Sequence, residues 1–300
     1  MIYYISLDNP HPSGGVKTQY RHVEILNEAG LPASMLHLNP GFRADTWFES
    51  KAPVAYNGHA EVGVGDSLVW PEILRSSITK LPEIKQYIFN QNIHYTWRGM
   101  KNNWTDYDTN VDGTMVLTDF EREWLSGFVP NHRIAVVRHG IDPRIFSYDG
   151  RKKKQQIAFM PRKHPDEAEA VFGWLYQTRA LKGWNIVEID KSTEKQTAEI
   201  LKDSAIFFAF GYPEGGTLPP FEAAACGCNI IGYGGFASDD LVRECYGRCV
   251  PSGDTCKFVN VARDLLMYPD LLIPPQHMSD RALSMFTMQK ERESLIEFFN

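Results

Sequence analysis

The first half of the chain alternates short apolar runs with polar or amphipathic segments. The runs predict strands at residues 1–7, 33–38, 67–71, 86–91, 113–118 and 133–140. Between the first two runs, apolar side chains recur at helical spacing from Val16 to Leu26, and Gly30 stands where a helix C-cap belongs. Strands that alternate with helices predict a parallel sheet with crossover connections.

The same alternation restarts after a polar tract that runs from Asp142 to Gln156. Strands are predicted at 156–160, 184–189, 205–210 and 228–233, and helices at 166–181, 192–204 and 278–299. The basic run Arg151–Lys154 within the tract is interpreted as a solvated linker. We therefore expect two similar α/β domains, at 1–148 and 149–280, followed by a final helix at 281–300.

Composition and charge exclude several classes of protein. The 300 residues are 43% hydrophobic and 23% charged, which is typical of a soluble globular protein with enough apolar residues for two cores. The net charge of -6 gives no overall basic field, so no nucleic-acid partner is expected. The apolar start of the chain is too short for a signal peptide, and no segment approaches the length of a membrane span. We expect a cytoplasmic protein that at most rests on a membrane surface.

No metal or bound cofactor is expected. The five cysteines lie at spacings that fit no standard zinc pattern, and they are interpreted as reduced thiols. Asp106 and Asp108 form an Asp-x-Asp pair, but it lies in a polar loop, and we interpret it as a loop feature rather than a metal site. The chain contains neither a P-loop nor a G-x-S-x-G motif.

The segment PEGGTLPPFEAAACGCNII contains two glutamates with seven residues between them, Glu214 and Glu222. It follows the predicted strand 205–210, at the edge where parallel α/β sheets bind ligands. Pro219 and Pro220 suit the first turn of a helix, so Glu214 falls in the loop and Glu222 in that first turn. The free amides of the helix start favour a phosphate, and the flanking carboxylates suit sugar hydroxyls. The spacing alone leaves open a general acid/base pair, or a helix-start acid beside an exposed loop glutamate.

This segment resembles the E-x7-E motif of retaining GT-B glycosyltransferases, particularly family four. The matching residues are Glu214, Gly215, Leu218, Pro219, Glu222, Ala223, Ala225 and Gly227. Thr217 and Asn229 depart from the usual glycine and proline. The resemblance implies that Glu222 binds the ribose of a nucleotide-sugar and that Glu214 lies beside the donor sugar. The donor-binding loop between them is formed by Gly215, Gly216, Thr217 and Leu218.

Other segments resemble the same family more weakly. Gly14 and Gly15 stand at the family's N-terminal glycine loop, where the backbone approaches a diphosphate or an acceptor. Arg162 stands where the family places an arginine on the leaving diphosphate; the family's lysine position is Glu167 here, while Lys163 lies next to Arg162. The alternative for Arg162 and Lys163 is exposed surface charge.

The stretch FNQNIHYTW places polar side chains at the end of a predicted strand. Gln91, Asn92 and His94 follow the apolar run there. The resemblance implies that His94 faces the transferred sugar. Simple capping of the next helix is the alternative.

The resemblance implies an α/β protein of the GT-B fold, with two Rossmann-like domains facing across a cleft and a C-terminal helix that returns to the N-terminal domain. It further implies transfer of a sugar, with retention and without a metal, from a nucleotide-diphosphate sugar to a glycan, lipid-linked or small-molecule acceptor. The donor is expected in the C-terminal domain and the acceptor mainly in the N-terminal one. Two other functions stay open: a non-catalytic nucleotide-sugar-binding partner subunit, and a nucleotide-sugar epimerase or hydrolase.

Overall fold

The chain forms two compact units in a computed structural model that describes residues 1–101 and 103–300. Unit 1 comprises Met1–His139 and Gln289–Asn300, and unit 2 comprises Gly140–Met288. The division between units lies earlier in the chain than the predicted boundary at 148/149. Unit 1 is therefore built from two separate stretches of sequence.

Unit 1 contains a seven-stranded parallel sheet with the order β3-β2-β1-β4-β5-β6-β7. Its strands are β1 (Ile2–Ile5), β2 (Ala33–His37), β3 (Val54–Tyr56), β4 (Ser67–Pro71), β5 (Lys85–Phe89), β6 (Gly113–Val116) and β7 (Ile134–Val136). Its helices are α1 (Gly14–Glu28), α2 (Ile93–Met100), α3 (Asp119–Ser126) and α10 (Met288–Phe299), with a 3-10 helix at Glu72–Ser77. The strand order is that of a dinucleotide-binding sheet. Successive strands are added on one side of β1 and then on the other, so the switch point lies between β1 and β4.

The sheet of unit 1 is covered on both faces. On one face Tyr4, Val23 and Leu26 are fully buried in a core that also contains Leu295 and Phe298 of α10. A separate cluster of buried apolar residues contains Ile88, Val116 and Leu125. Strands buried on both faces explain why the sequence shows continuous apolar runs instead of strict alternation.

Unit 2 contains a five-stranded parallel sheet with the order β12-β11-β10-β8-β9. Its strands are β8 (Lys154–Phe159), β9 (Asn185–Glu188), β10 (Ser204–Ala209), β11 (Asn229–Gly232) and β12 (Arg248–Cys249). Its helices are α4 (Pro165–Gln177), α5 (Glu194–Asp203), α6 (Pro219–Ala225), α7 (Asp239–Glu244), α8 (Thr255–Met267) and α9 (Pro275–Met285), with a 3-10 helix at Pro269–Leu271. All six residues of β10 are buried, and cores lie on both sides of this sheet.

The C-terminal stretch is two helices rather than the single predicted helix. Helix α9 belongs to unit 2, where Met278, Ala282 and Phe286 are buried in its core. The chain leaves helical geometry at Phe286, whose ring packs on Phe221 at 4.2 Å and whose carbonyl accepts the N–H of Ile141 at 2.8 Å. Because these contacts hold Phe286 in place, the helical periodicity breaks there, and α10 begins as a new helix that packs within unit 1.

The basic run is not a solvated linker, which corrects the sequence interpretation. Arg151 forms ion pairs with Asp149 at 2.6 Å and with acids of α5. Lys153 donates to the carbonyls of Leu201 at 2.9 Å and Cys226 at 2.6 Å, which are the carboxyl-terminal ends of two helices. Burial lowers the pKa of Lys153. This lysine therefore stabilises the frame of unit 2 instead of offering a surface charge.

Candidate functional site

The candidate site of unit 2 lies where the strand order of its sheet reverses. From β8 the chain adds β9 on one side and then β10, β11 and β12 on the other, so the reversal falls between β8 and β10. Arg162 and Lys163 follow β8, and Glu214 follows β10. Parallel sheets bind ligands outside the carboxyl ends of their strands at such a switch point.

Lys163 and Glu214 form an ion pair across this switch point. The Lys163 ammonium contacts the Glu214 carboxylate, and it lies 3.4 Å from the carbonyl oxygen of Pro213. The two side chains remain 25% and 26% exposed, so both can be reached by a ligand. Arg162 is exposed beside them. The structure thus brings together two predicted site residues from separate strand ends.

The backbone of Glu214 is fixed against the loop that follows β11. Its N–H donates to the carbonyl of Gly235 at 3.0 Å. Gly235 has a φ of +76°, and a Cβ at this position would lie 2.5 Å from the Cβ of Glu214. Only glycine combines that backbone geometry with so close an approach. Gly235 is therefore part of what holds Glu214 in place.

Glu222 lies where the sequence placed it, in the first turn of α6. Pro219 is the first residue of this helix, and Glu222 is buried at 7% exposure. The helix is seven residues long. Its short axis limits the dipole, so the backbone amides and the carboxylates dominate the local electrostatics.

Ser238 organises the loop between the two glutamates. Its fully buried hydroxyl donates to the carbonyl of Gly215 at 2.9 Å and lies 3.4 Å from the amide nitrogen of Thr217. One of the amides expected to face a phosphate therefore already has a partner. Ser238 was missed by the sequence analysis, because nothing in GYGGFASDD indicates that this serine turns back to the glutamate loop.

Glu167, at the position of the family's lysine, is engaged by two tyrosines. Tyr212 and Tyr233 both donate their hydroxyls to its carboxylate, Tyr233 at 2.8 Å. The hydrogen bond to Glu167 raises the pKa of Tyr212 to about 12, so this tyrosine remains a donor. The ring of His164 stacks on Tyr212 at 3.9 Å. Glu167 thus braces the loop that precedes Glu214, and Lys163 is the cation that pairs with Glu214 at the switch point.

The carboxyl edge of unit 1 holds a second group of predicted residues. Gly14 and Gly15 are the first two residues of α1, so they form its first turn rather than a loop before it. The side chain of Ser13 does not cap this helix. A Cβ on Gly15 would lie 2.9 Å from Oε1 of Gln91. The helix start therefore meets the polar segment that follows β5.

His94 lies exposed in the first turn of α2. Asn92 caps this helix by accepting the His94 N–H at 3.0 Å. Desolvation by neighbouring groups lowers the pKa of His94. For Asn92 the structure bears out the capping alternative. The role of His94 toward a donor sugar stays a prediction.

Two buried carboxyl groups in unit 1 were missed by the sequence analysis. Burial raises the pKa of Glu72 to about 8, although the backbone N–H groups of Gln91 and Asn92 donate to it. Burial likewise raises the pKa of Glu121 to about 7. Glu72 follows β4, so it lies at the strand reversal of its sheet. Glu72 is a single acid after an apolar run, and nothing in that pattern indicates that it is buried.

The remaining sequence features are local. Asp106 accepts hydrogen bonds from Asn103 at 2.6 Å and from Thr105 at 3.0 Å. Over residues 1–101 and 103–300, no three His, Cys, Asp or Glu side chains gather in a way that could hold a metal ion. The same residues include no helix with the length and apolarity needed to cross a membrane. Cys226, Cys228 and Cys245 are buried free thiols.

Known proteins resemble this chain weakly in sequence and extensively in fold. No family model matches the chain. Over 268 residues it is 24% identical to an alpha-1,6-glucosyltransferase of Actinobacillus pleuropneumoniae serotype 7, covering 86% of this chain and 80% of that protein. The chain is a homologue of a glycosyltransferase.

Solved structures show the same fold. Sucrose-phosphate synthase from Thermosynechococcus elongatus matches with a TM-score of 0.73 at 13% identity, covering 99% of this chain and 98% of the other. The pneumococcal O-GlcNAc transferase GtfA, solved with UDP and GlcNAc, matches with a TM-score of 0.65 at 9% identity, covering 99% and 98%. A glycosyltransferase from Rickettsia africae matches with a TM-score of 0.64 at 12% identity, covering 99% and 97%. The predicted GT-B fold, with two Rossmann-like domains, is thereby confirmed.

Proposed function

We propose that this protein is a retaining, metal-independent glycosyltransferase that moves a hexosyl group from a UDP-sugar to a hydroxyl of a glycan or another sugar-containing acceptor. The observation that carries the proposal is the Lys163–Glu214 pair at the switch point of unit 2, with Glu222 buried in the helix that follows. The sequence relative is a glucosyltransferase, and one fold neighbour was solved with UDP and GlcNAc. These names support UDP and a hexose as the first donor to test.

Each side chain then has a chemical role. Lys163 and Arg162 offset the negative charge that develops on the leaving diphosphate, which is the type of fixed electrostatic stabilisation that lowers a barrier most. Glu214 accepts hydrogen bonds from donor-sugar hydroxyls, and its ion pair with Lys163 keeps both side chains in position. Glu222 accepts hydrogen bonds from the ribose hydroxyls. In the retaining reaction, the leaving phosphate oxygen takes the acceptor proton on the same face of the sugar, so the protein's main task is positioning.

Gly14, Gly15 and His94 are assigned to the reaction by resemblance. The uncapped start of α1 offers free backbone N–H groups to an anion or an acceptor hydroxyl. His94, with its lowered pKa, would be neutral and able to hydrogen-bond a sugar. The Cβ-free surface of Gly15 leaves room for Gln91 beside them.

The test begins with a thermal-shift screen of UDP, GDP, ADP and dTDP sugars, because a donor that binds the native state raises the melting temperature. Transfer of radiolabelled sugar is then measured with and without an acceptor, and with EDTA. We expect Glu222→Ala to lower the rate of sugar transfer by about 10²-fold or more, while the fold stays intact. Glu244→Ala, an exposed acid at the end of α7, is the matched control and retains activity.

The outcomes separate the three functions. Turnover by Glu222→Ala near the wild-type rate would contradict the assignment. Donor binding without single-turnover transfer would indicate a non-catalytic partner subunit. Product formed from the donor without any acceptor would indicate an epimerase or a hydrolase.

A further inference from the structure

Phe236 has an unusual backbone conformation beside the proposed donor site. It follows Gly235 in the loop after β11, and its φ is +76°. This left-handed region is disfavoured for residues with a Cβ, and a bulky aromatic residue there is a genuine outlier. The chain places glycine at 234 and 235 and then a phenylalanine where glycine would relieve the backbone.

The conformation of Phe236 is not explained by helix termination. Glu83, Asn110 and Lys191 also have positive φ values, in turns or bends, and Lys101, Arg179 and Tyr246 have them just after the end of a helix. A left-handed residue at that point is an ordinary way to end a helix. Phe236 instead precedes α7, in a turn closed by hydrogen bonds of 3.3 Å to and from Asp239. Strained residues of this kind cluster at ligand sites.

Phe236 lies next to Glu214, the residue proposed to bind the donor sugar. Glu214 and Phe236 form a parallel β-bridge, so the two residues are neighbours across the loops. The rings of Phe236 and Tyr212 pack in a T-shaped arrangement, with centroids 6.2 Å apart and planes at 86°. Tyr212 is itself held by Glu167 and stacked on His164. Even with these contacts, Phe236 stays 43% exposed.

A half-exposed aromatic residue next to a glutamate matches the two surfaces of a hexose. The hydroxyls at the ring edge need hydrogen-bond acceptors, and the C–H groups of the ring face are weakly positive. The face of a phenyl ring carries negative charge density and attracts such groups. Glu214 would serve the edge and Phe236 the face of the same sugar.

We propose that Phe236 is the stacking platform for the hexosyl ring of the donor, and so a determinant of sugar affinity. The inference rests on the proposed function and extends it to a residue outside the E-x7-E motif. The left-handed backbone is the cost of aiming the aromatic ring at the sugar. It follows that this residue should favour binding at the expense of stability.

The test compares Phe236→Gly with Tyr246→Gly. Tyr246 is a matched control, since it is also aromatic, half exposed and in the left-handed backbone region. It lies between α7 and β12, at the amino ends of the strands and not at the carboxyl ends. Dissociation constants are measured by calorimetry for UDP, GDP, ADP and dTDP, for their glucose conjugates and for UDP-GlcNAc. Melting temperatures are measured without ligand.

We expect Phe236→Gly to weaken binding of the sugar conjugate about tenfold, while the affinity for the bare nucleotide stays within about twofold of the wild type. Its melting temperature should stay level or rise by about 2 °C, because the strained backbone is relieved. Phe236→Trp should keep the wild-type affinity for the sugar conjugate. Tyr246→Gly should change the affinity for neither the conjugate nor the nucleotide.

Three results would overturn the inference. If Phe236→Gly binds the conjugate as tightly as the wild type, Phe236 does not contact the sugar, although the proposed function stands. If nucleotide affinity and melting temperature both fall, Phe236 is a structural residue. If the wild-type protein binds none of the nucleotides or conjugates, the proposed function fails and this inference fails with it.

Discussion

At the scale of single residues, the ion pair between Lys163 and Glu214 becomes visible only in the folded structure. Sequence alone presents an exposed lysine after one strand and a loop glutamate after another. The sheet order brings the two strand ends together, and the side chains pair there. Ion pairs that remain about one-quarter exposed contribute little to folding, and we therefore propose that this pair serves the reaction.

A double-mutant cycle tests that separation. Lys163→Met and Glu214→Gln should each shift the melting temperature by less than about 2 °C, since an exposed pair contributes at most about 1 kcal/mol. Each should lower the rate of sugar transfer by about 10²-fold, and the double variant should lose less than the product of the two effects.

The control for this cycle is Lys154→Met, which breaks a 2.6 Å ion pair with Asp203 in the same unit. It should keep full activity. Transfer rates of Lys163→Met within about threefold of the wild type would count against a catalytic role for the lysine.

Residue-level sequence reasoning was strongest where residue type and spacing carry the chemistry. Glu214 and Glu222 could be chosen because two prolines fix the start of the helix that contains Glu222. Ser238, Phe236 and Glu167 could not be assigned their contacts, because those depend on loops that meet only after the sheet has formed. The hydroxyl of Ser238 and the ring of Phe236 have no periodic or motif signal.

At the scale of elements, α10 is held to unit 1 by a buried charge. Glu291 is fully buried, and Arg21 of α1 donates to it at 3.1 and 2.7 Å. Burial alone would raise the pKa of Glu291, but the Arg21 guanidinium and the His22 imidazole outweigh it and lower the pKa to about 2. The carboxylate therefore stabilises the attachment of α10 at neutral pH.

Glu291→Gln should reveal this contribution. Removing one partner of a buried pair leaves Arg21 uncompensated, so the variant should lose about 3 kcal/mol of unfolding free energy or more at pH 7. The stability from a lowered carboxyl pKa is present above the unfolded value and is lost as the pH falls, here from about 4.5 toward 2.

The measurement is chemical denaturation of the wild type and the variant from pH 7 to pH 2. The difference between them should narrow across that window. Glu297→Gln, an exposed acid on the same helix, should match the wild type throughout. A constant difference at every pH would show that packing, and not charge, holds the helix.

Prediction of elements succeeded where the local pattern was self-sufficient. The apolar run 67–71 is strand β4 with the expected bounds, and α6 begins at Pro219 as the two prolines indicated. The break at Phe286 was missed because it arises from contacts with Phe221 and Ile141, which are distant in sequence. The helix-forming pattern on both sides of it continues without interruption.

At the scale of the whole molecule, the two units differ in how the sequence builds them. Unit 2 is one continuous stretch, Gly140–Met288, with its own two cores. Unit 1 needs Gln289–Asn300, because Leu295 and Phe298 lie fully inside its core. A stretch with a complete core of its own should be able to fold alone.

Fragments of the chain test this difference. Residues 140–288 should give a cooperative thermal transition alone, whereas residues 1–139 should give one only when a peptide of residues 289–300 is added. Circular dichroism melts of the three mixtures provide the measurement. A cooperative transition of 1–139 without the peptide would mean that α10 is dispensable for that core.

The discontinuous build of unit 1 also sets an order of events during translation. The ribosome makes residues 1–139 first, but α10 is synthesised only after all of unit 2. The core of unit 1 therefore lacks Leu295 and Phe298 until the whole of unit 2 has been made. Domains of most proteins fold from the N-terminus onward. Here the first unit cannot complete its core until the residues that follow unit 2 have been made, and until then the side of the N-terminal sheet that α10 covers is the surface that a chaperone would meet.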